Sequence, residues 1–399
     1  MRLTTLPIVF VLCFAACQCG GTHLMNVPPI CDTNPEFCDA GVIDPIDAGP
    51  GSACTDLGTV TGRVCATDQQ TWLNGATVSV DAIDCNNMRI HVETTSAADG
   101  TFTLTGVPPG TSLVVHAELG AFTQDTPVTV TANMTTAIPD NQLCVAQKAV
   151  KIAVVTGAGD KIEDLLTSLN LQFTLFGGDS STWTSQAEPF LSDLNQMKQY
   201  DLIFVDCAAA KKSGTTIDLG SNAALIGQNL HNYVLGGGSV YASDWALIFT
   251  LAASPSNFTY ATANGAAIGN PLDAKQLIGF APQTVSATVT DPALAQFLGK
   301  SSLNIGFPKQ TGAVSLHWGL MSAAPGSRVL VAANGVQVCA DTTCATASGS
   351  LHNGIPLAVR ARLLPAGQKG GNVVYTSFHN IAQSGNDVAQ VLKYLVLNL

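Results

Sequence analysis

Tyr233-Val-Leu-Gly-Gly-Gly-Ser-Val-Tyr-Ala-Ser-Asp-Trp245 decides how the longer, C-terminal part of this 399-residue chain is read. Ile226, Leu230 and Tyr233 form the apolar stripe of a helix that three glycines stop. An apolar strand over 239–243 follows and runs out into polar side chains. In an α/β unit, ligands collect where strands end in this way. The same alternation extends upstream. Residues 150–155, 172–176 and 201–206 read as strands, and Ile162, Leu165, Leu166 and Leu169 fall on one helical face. Asp160, three residues before Glu163, reads as a capping-box-like start to that helix. Downstream, 372–377 reads as a strand, and Val388, Val391, Leu392, Leu395 and Leu399 mark a closing helix. The expectation for 148–399 is a three-layer α/β domain, its mainly parallel sheet covered on both faces. Residues 281–370, with β-rich phrases such as 284–289 and 327–331, are expected to be a β-rich insertion or an antiparallel extension of that sheet.

Three phrases make this domain resemble the class I glutamine amidotransferase-like superfamily, and its ThuA-like relatives in particular. They are Tyr200-Asp-Leu-Ile-Phe-Val-Asp206, the stretch 233–245, and Gly371-Asn-Val-Val-Tyr-Thr-Ser-Phe-His-Asn380, whose histidine ends a strand as in that family. The resemblance implies a flavodoxin-like fold and, in amidotransferases, a cysteine nucleophile on a sharp turn after the strand that follows the glycines. Here that turn reads Tyr241-Ala-Ser-Asp-Trp-Ala246, without cysteine or glycine, so glutamine chemistry does not carry over. Ser243 and Asp244, with His379, remain as candidates for a nucleophile–base corner. Trp245 and the missing glycines are expected to deny the elbow its tight turn. The more economical role for Asp244 and His379 is a charge-assisted hydrogen bond joining two strand ends.

Gly157-Ala-Gly159 lies between a strand and a helix, but Ile162 stands where a dinucleotide fingerprint needs its third glycine. It reads as a plain turn. Cys207 reads as an inert buried thiol, and His91, His116 and His317 as structural. Neither C-x-x-C nor H-E-x-x-H occurs, so no metal site and no cofactor are expected.

Between residues 57 and 147 the pattern changes to period-two alternation, as at Val78/Val80 and Phe102/Leu104, with turn signals at Asp99-Gly100 and Pro108-Pro109-Gly110. A β-sandwich follows. Gly58-Thr-Val-Thr-Gly-Arg-Val64, Leu73-Asn-Gly-Ala-Thr-Val-Ser-Val80, Thr94-Thr-Ser-Ala-Ala-Asp-Gly-Thr-Phe-Thr-Leu104 and Gly106-Val-Pro-Pro-Gly110 resemble the carboxypeptidase regulatory-like domain. That resemblance implies a transthyretin-like sandwich on an exported protein, without catalytic residues of its own.

The first sixteen residues carry Arg2 and an apolar run from Leu6 to Ala16, the size of a signal-peptide core and too short to span a bilayer. Phe14-Ala15-Ala16-Cys17 resembles the bacterial lipobox, which implies acylation of Cys17 and, with Gln18 next, sorting to the outer membrane. Residues 17–56, rich in Pro, Gly and Asp, read as a flexible tether. The whole chain is lightly charged (11%) and acidic, with a net charge of −11, which argues against capture of nucleic acid or of anionic lipid by a basic surface. Twelve cysteines suit an oxidising compartment. Cys31 and Cys38, and Cys339 and Cys344, are close local pairs; Cys65 and Cys85 could bridge within the sandwich, which Cys54 and Cys144 flank. Other connectivities are equally compatible with these positions.

The sequence therefore points to an exported, lipid-anchored binding or structural protein of the outer membrane or cell surface, with a glycan or protein partner. A hydrolase or carbohydrate-modifying enzyme using the Ser243/Asp244–His379 corner is the rival. Cys17→Ser is expected to release the protein from membranes or leave it unprocessed. An unmodified Cys17 in the intact mass of protein from its native host would refute the anchor.

Overall fold

The computed structural model describes residues 55–147, 150–209, 211–213, 216–261, 277–308, 317–341, 344–364, 370–380, 383 and 386–399. The signal peptide, Cys17, Cys31, Cys38 and Cys54 lie outside them, as does all of the tether but its last two residues.

The N-terminal β-region holds two sheets. Thr101–Val107, Gly58–Arg63 and Thr135–Ala137 form one, and Arg89–Thr95, Thr77–Ile83, Gly110–Leu119 and Phe122–Val130 the other, in those spatial orders. Alternation decides which side chains go inward: in Thr101–Val107, Phe102 and Leu104 are buried while Thr101 and Thr103 are exposed. The inward rows of both sheets belong to one apolar cluster. Cys65 is bridged to Cys144, 79 residues away. The expected Cys65–Cys85 pairing is therefore corrected. The reason is local: Val145 N–H donates to Cys65 O and Cys65 N–H to Leu143 O, so the backbone lays 143–145 directly beside Cys65. Cys85 is itself disulfide-bonded, and Cys339 is bridged to Cys344.

The larger sheet has nine strands in the order Ser302–Phe307, Gln283–Val289, Ser327–Ala333, Ile355–Arg362, Asn372–Thr376, Ser239–Ser243, Leu202–Val205, Ile152–Thr156, Phe173–Gly177. The last five are mutually parallel. The first four pair antiparallel with their neighbours, so the sheet is mixed rather than mainly parallel. Its antiparallel half comes from the segment expected to be either a β-rich insertion or an antiparallel extension of the sheet, and the extension is what forms. Together with Ile278–Phe280 just before it, that segment also builds a second sheet, in the order His317–Gly319, Ile278–Phe280, Val336–Cys339, Ala347–His352.

Strands buried on both faces explain the unbroken apolar runs at Leu202–Val205 and Ile152–Thr156. Ile152, Val154, Leu202 and Phe204 face the helices Ile162–Ser168 and Asp387–Leu397. Ala153, Val155, Ile203 and Val205 face Ala187–Ser192, Ala223–Leu235 and Leu247–Ala253. The first of these clusters continues into the core of the N-terminal β-region, and residues 48–399 form one compact unit. Polar contacts reinforce the seam. Thr67 Oγ1 donates to Leu169 O, and Lys393 Nζ reaches Thr71 Oγ1 (3.1 Å) and Asp68 Oδ2 (3.4 Å). Burial alone would raise the Asp68 carboxyl, but hydrogen bonds from Thr71 and Gln70 and the Lys393 charge outweigh it and hold it below the ordinary carboxylate value.

No helix among the described residues is long and apolar enough to cross a membrane. The Cys65–Cys144 bridge closes a loop of 79 residues. Cutting such a bridge typically costs about 2–5 kcal/mol, because the unfolded chain regains the entropy the loop removed. A Cys65→Ala, Cys144→Ala double variant is expected to lose stability in that range in urea denaturation of the oxidised protein. A midpoint equal to the parent's would show that the bridge adds nothing.

Candidate functional site

Four neighbouring parallel strands end at the same edge of the sheet, and the residues just beyond them converge there. Ser239–Ser243 is buried along its whole length, and Asp244 after it has φ of 45°. A left-handed aspartate costs roughly 1–3 kcal/mol and persists only where its surroundings over-determine it. A short 3-10 turn over Asp244–Ala246 then leads into the helix Leu247–Ala253. The sharp strand–turn–helix elbow is therefore present, against the expectation that Trp245 and the absence of flanking glycines deny it. The room comes from a remote glycine. A Cβ on Gly319 would stand 3.0 Å from Asp244 O and 2.8 Å from Leu247 Cδ2.

Asp244 is 2% exposed, and both oxygens of its carboxylate accept hydrogen bonds. Gly319 N–H donates to Oδ1. His379 Nε2 donates to Oδ2 at 2.8 Å, and Cys207 Sγ donates to the same oxygen at 3.3 Å. Ser243 lies beside this group without joining it: its Oγ accepts the Cys207 N–H at 3.0 Å and donates to Asp160 Oδ2 at 2.7 Å. The structure thus brings Ser243, Asp244 and His379 to one edge. It gives the histidine to Asp244 and the serine to Asp160.

Sequence reading did not bring Asp160, Cys207 and Asp206 to this corner, although it read Cys207 as a buried thiol, as the structure shows it. Asp160 does not cap the following helix, whose N-cap is Lys161 with no side-chain cap bond. Its Oδ1 instead accepts Lys161 N–H (2.8 Å) and Asn380 N–H (3.1 Å), which ties the first strand end to the last. Cys207 is a free thiol whose turn presses against the two glycines: a Cβ at Gly159 would stand 2.8 Å from Cys207 Sγ, and Gly159 N–H donates to Cys207 O. Close backbone approach, not phosphate binding, accounts for Gly157 and Gly159. Asp206, fully buried, faces the Glu163 carboxyl, and no well-aligned donor among the described residues meets either of its oxygens. The one signal that could have flagged these residues was their position just after apolar strands.

Electrostatics follow from burial. The Asp206 carboxyl is pushed well above its ordinary value by burial first, then by the charges of Asp160 and Glu163. Burial also raises Asp160, against the opposing pull of His379 and the Ser243 hydrogen bond. Burial and the Asp244 charge push the Cys207 thiol well up, which makes it a hydrogen-bond donor rather than an activated thiolate. Burial alone would lower His379, but the hydrogen bond and charge of Asp244, with the charge of Asp160, raise it instead.

The antiparallel extension covers the corner. Trp245, Ile278 and Cys344 form a small apolar cluster with Cys207, and Trp318 stacks on Phe307 at 3.5 Å between ring centroids. Tyr375 Oη donates to Gly319 O at 3.1 Å and fastens the cover to the central strand. A cavity of about 320 Å³ lies at the opposite, amino edge of the strands, lined by residues such as Val150, Asp201, Ser239 and Leu399. Among the described residues, its lining has no histidine and no cysteine. His91 and His116 stand on the exposed face of the four-stranded sheet, paired with Asp81 and Glu93 and with Asp125 and Glu118 respectively.

No family model and no curated protein matches this chain. Among solved structures, a glutamine amidotransferase from Thermotoga maritima is similar at 8% identity and a TM-score of 0.31, over 58% of this chain and 76% of its own. PurLQS from the same organism is similar at 12% identity and 0.32, over 62% of this chain and 98% of its own. A β-galactosidase from Rahnella sp. R3 scores 0.32 at 12% identity, over 62% of this chain and 31% of its own. These likenesses are loose.

An acid whose folded-state pKa lies above its unfolded value contributes stability that is complete below the unfolded pKa, near 3.8 for Asp206, and is lost as pH rises through the folded one. Asp206→Asn removes that loss while leaving Asp160, Glu163 and Tyr241 around it. The variant is expected to show a flatter decline of its urea midpoint between about pH 4 and pH 8 than the parent. Parallel slopes would refute the raised Asp206 carboxyl.

Proposed function

We propose that this chain is an exported, lipid-anchored protein of the outer membrane or cell surface that acts by binding or as a structural element. In this reading residues 57–147 are a transthyretin-like sandwich of the carboxypeptidase regulatory-like kind. Residues 148–399 are an amidotransferase-like domain that has lost its covalent chemistry, and a glycan or protein is the partner. The observation that carries the non-enzymatic part is the state of the elbow. A nucleophile needs a free lone pair and a path for the substrate. Asp244 occupies the nucleophile's place with both oxygens hydrogen-bonded, and Gly319 of the covering strand closes over it. Ser243, the other candidate, has its hydroxyl between Asp160 and the Cys207 amide and no hydrogen bond to His379. Cys207 is a buried, neutral thiol.

One observation favours the rival hydrolase: the left-handed turn at Asp244 is retained, with an imidazole 2.8 Å from its carboxylate. A panel of ester, amide and glycoside substrates separates the two readings. The parent is expected to turn over none of them. His379→Ala is expected to destabilise the fold by about 3–5 kcal/mol, because it strands a buried carboxylate without its counter-charge. Turnover in the parent that disappears in a still-folded Asp244→Asn variant would establish the hydrolase instead.

A further inference from the structure

Cys207, Asp244 and His379 place one sulfur, one oxygen and one nitrogen within 4.8 Å of one another, all buried. They come from three strand ends, 37 residues apart for Cys207 and Asp244 and 135 for Asp244 and His379, so no local spacing announces them. We propose that these three side chains bind one divalent transition-metal ion, zinc by preference.

The geometry is close to what such an ion needs. Ligands at about 2.0–2.3 Å from a tetrahedral centre stand roughly 3.3–3.8 Å from each other. Here Sγ and Oδ2 are 3.3 Å apart, Nε2 and Oδ2 are 2.8 Å apart, and shifts of about 1 Å admit the ion. Two protons hold the three atoms together in the structure as it stands: Sγ–H and Nε2–H both point at Asp244 Oδ2. Binding breaks those two bonds and forms S–metal, N–metal and O–metal bonds. The protons leave to solvent, the imidazole keeps Nδ1–H, and two positive charges replace two.

The surroundings already do what outer groups of a metal site do. Gly319 N–H orients the carboxylate through Oδ1, and Ser243 Oγ and the paired glycines hold the Cys207 turn in place. The donor set selects the ion. Thiolate with imidazole favours zinc or cobalt, while calcium and magnesium require oxygen ligands throughout. Three protein ligands leave a fourth position, and the corner is closed over by the Trp245, Ile278 and Cys344 cluster, so we read the ion as one that locks the strand ends together. The ion would occupy Asp244 and His379, the residues on which the question of hydrolysis turns, but its uptake is read without any turnover and so fails or succeeds separately.

The test uses the full chain, purified with its disulfides intact and stripped with a chelator. Cobalt(II) serves as the spectroscopic probe and zinc(II) as the competitor. One cobalt per chain is expected, with a near-ultraviolet thiolate-to-cobalt band that zinc abolishes. Cys207→Ser is expected to lose the band and to bind at least tenfold more weakly. X-ray absorption of the zinc-loaded parent needs no variant, and it should show one sulfur at about 2.3 Å with nitrogen and oxygen neighbours at about 2.0–2.2 Å. A parent that takes up no stoichiometric ion overturns the proposal. So does a band that survives Cys207→Ser, or a zinc shell with no sulfur or with sulfur alone. Any of these outcomes would leave the corner as a hydrogen-bonded polar core.

Discussion

A carboxylate removed from water at Asp244 governs the centre of this molecule. Taking an ionised carboxyl group into a protein interior costs several kcal/mol, and the cost is offset only when donors of good geometry surround it. The donors here come from three separate segments: the Cys207 strand end, the His379 strand end and Gly319 of the covering sheet. Withdrawing any of them leaves the buried carboxylate short of a hydrogen bond, so this one group ties the parallel half of the sheet to its covering strands. The left-handed backbone at Asp244 belongs to the same constraint, because only that turn aims the carboxylate between the strand ends. A glycine is required at 319 because its amide must reach Oδ1 while its Cα passes close to the elbow backbone.

A chain with so few charged residues has surface enough to keep all of them in water. Instead Asp160, Asp206 and Asp244 are buried together, with Glu163 beside them and His379 as the cationic partner. Replacing such a network by apolar side chains is often neutral or stabilising in other proteins, so bulk stability is not a sufficient reason for it. Polar networks that are satisfied only in one arrangement do specify that arrangement. Four strand ends, each held by a different partner, admit one register among themselves. Asp206, buried beside Glu163, is the member of the network whose carboxyl burial pushes furthest from its ordinary value.

The N-terminal β-region is tied to the larger sheet by the same economy of surfaces. The sheet's face toward Ile162–Ser168 and Asp387–Leu397 is apolar, and so are the interiors of the two smaller sheets, and one continuous cluster joins them. The Asp68, Thr71 and Lys393 contacts at the seam fix orientation more than they add affinity, since Lys393 reaches Asp68 only at 3.4 Å. The covering sheet does the equivalent at the opposite edge, with Trp318 against Phe307 and Tyr375 bonded to Gly319.

Much of the backbone was legible in the residues themselves. Period-two alternation located the strands of the β-region, the apolar runs at 152–156, 202–205 and 239–243 located the parallel strands, and Gly236-Gly237-Gly238 marked the end of the helix Ala223–Leu235. These are local signals, written by burial periodicity and by backbone freedom. The position of Asp244 and His379 at strand ends was legible for the same reason. Four things were not. Pairing within the sheet decided between the insertion and the antiparallel extension that the sequence left open over 281–370, because side-chain alternation says nothing of strand direction. Backbone adjacency between 65 and 143–145 decided the Cys65–Cys144 bridge. Asp160 looked like a cap, because a carboxylate before a helix is read as one; only the arrival of Ser243 and Asn380 turned it inward. Cys207, finally, becomes part of a three-atom cluster only because parallel pairing sets residue 207 beside residue 244 and brings residue 379 to the same edge, and contacts between residues so far apart in the chain exist only once the sheet has closed.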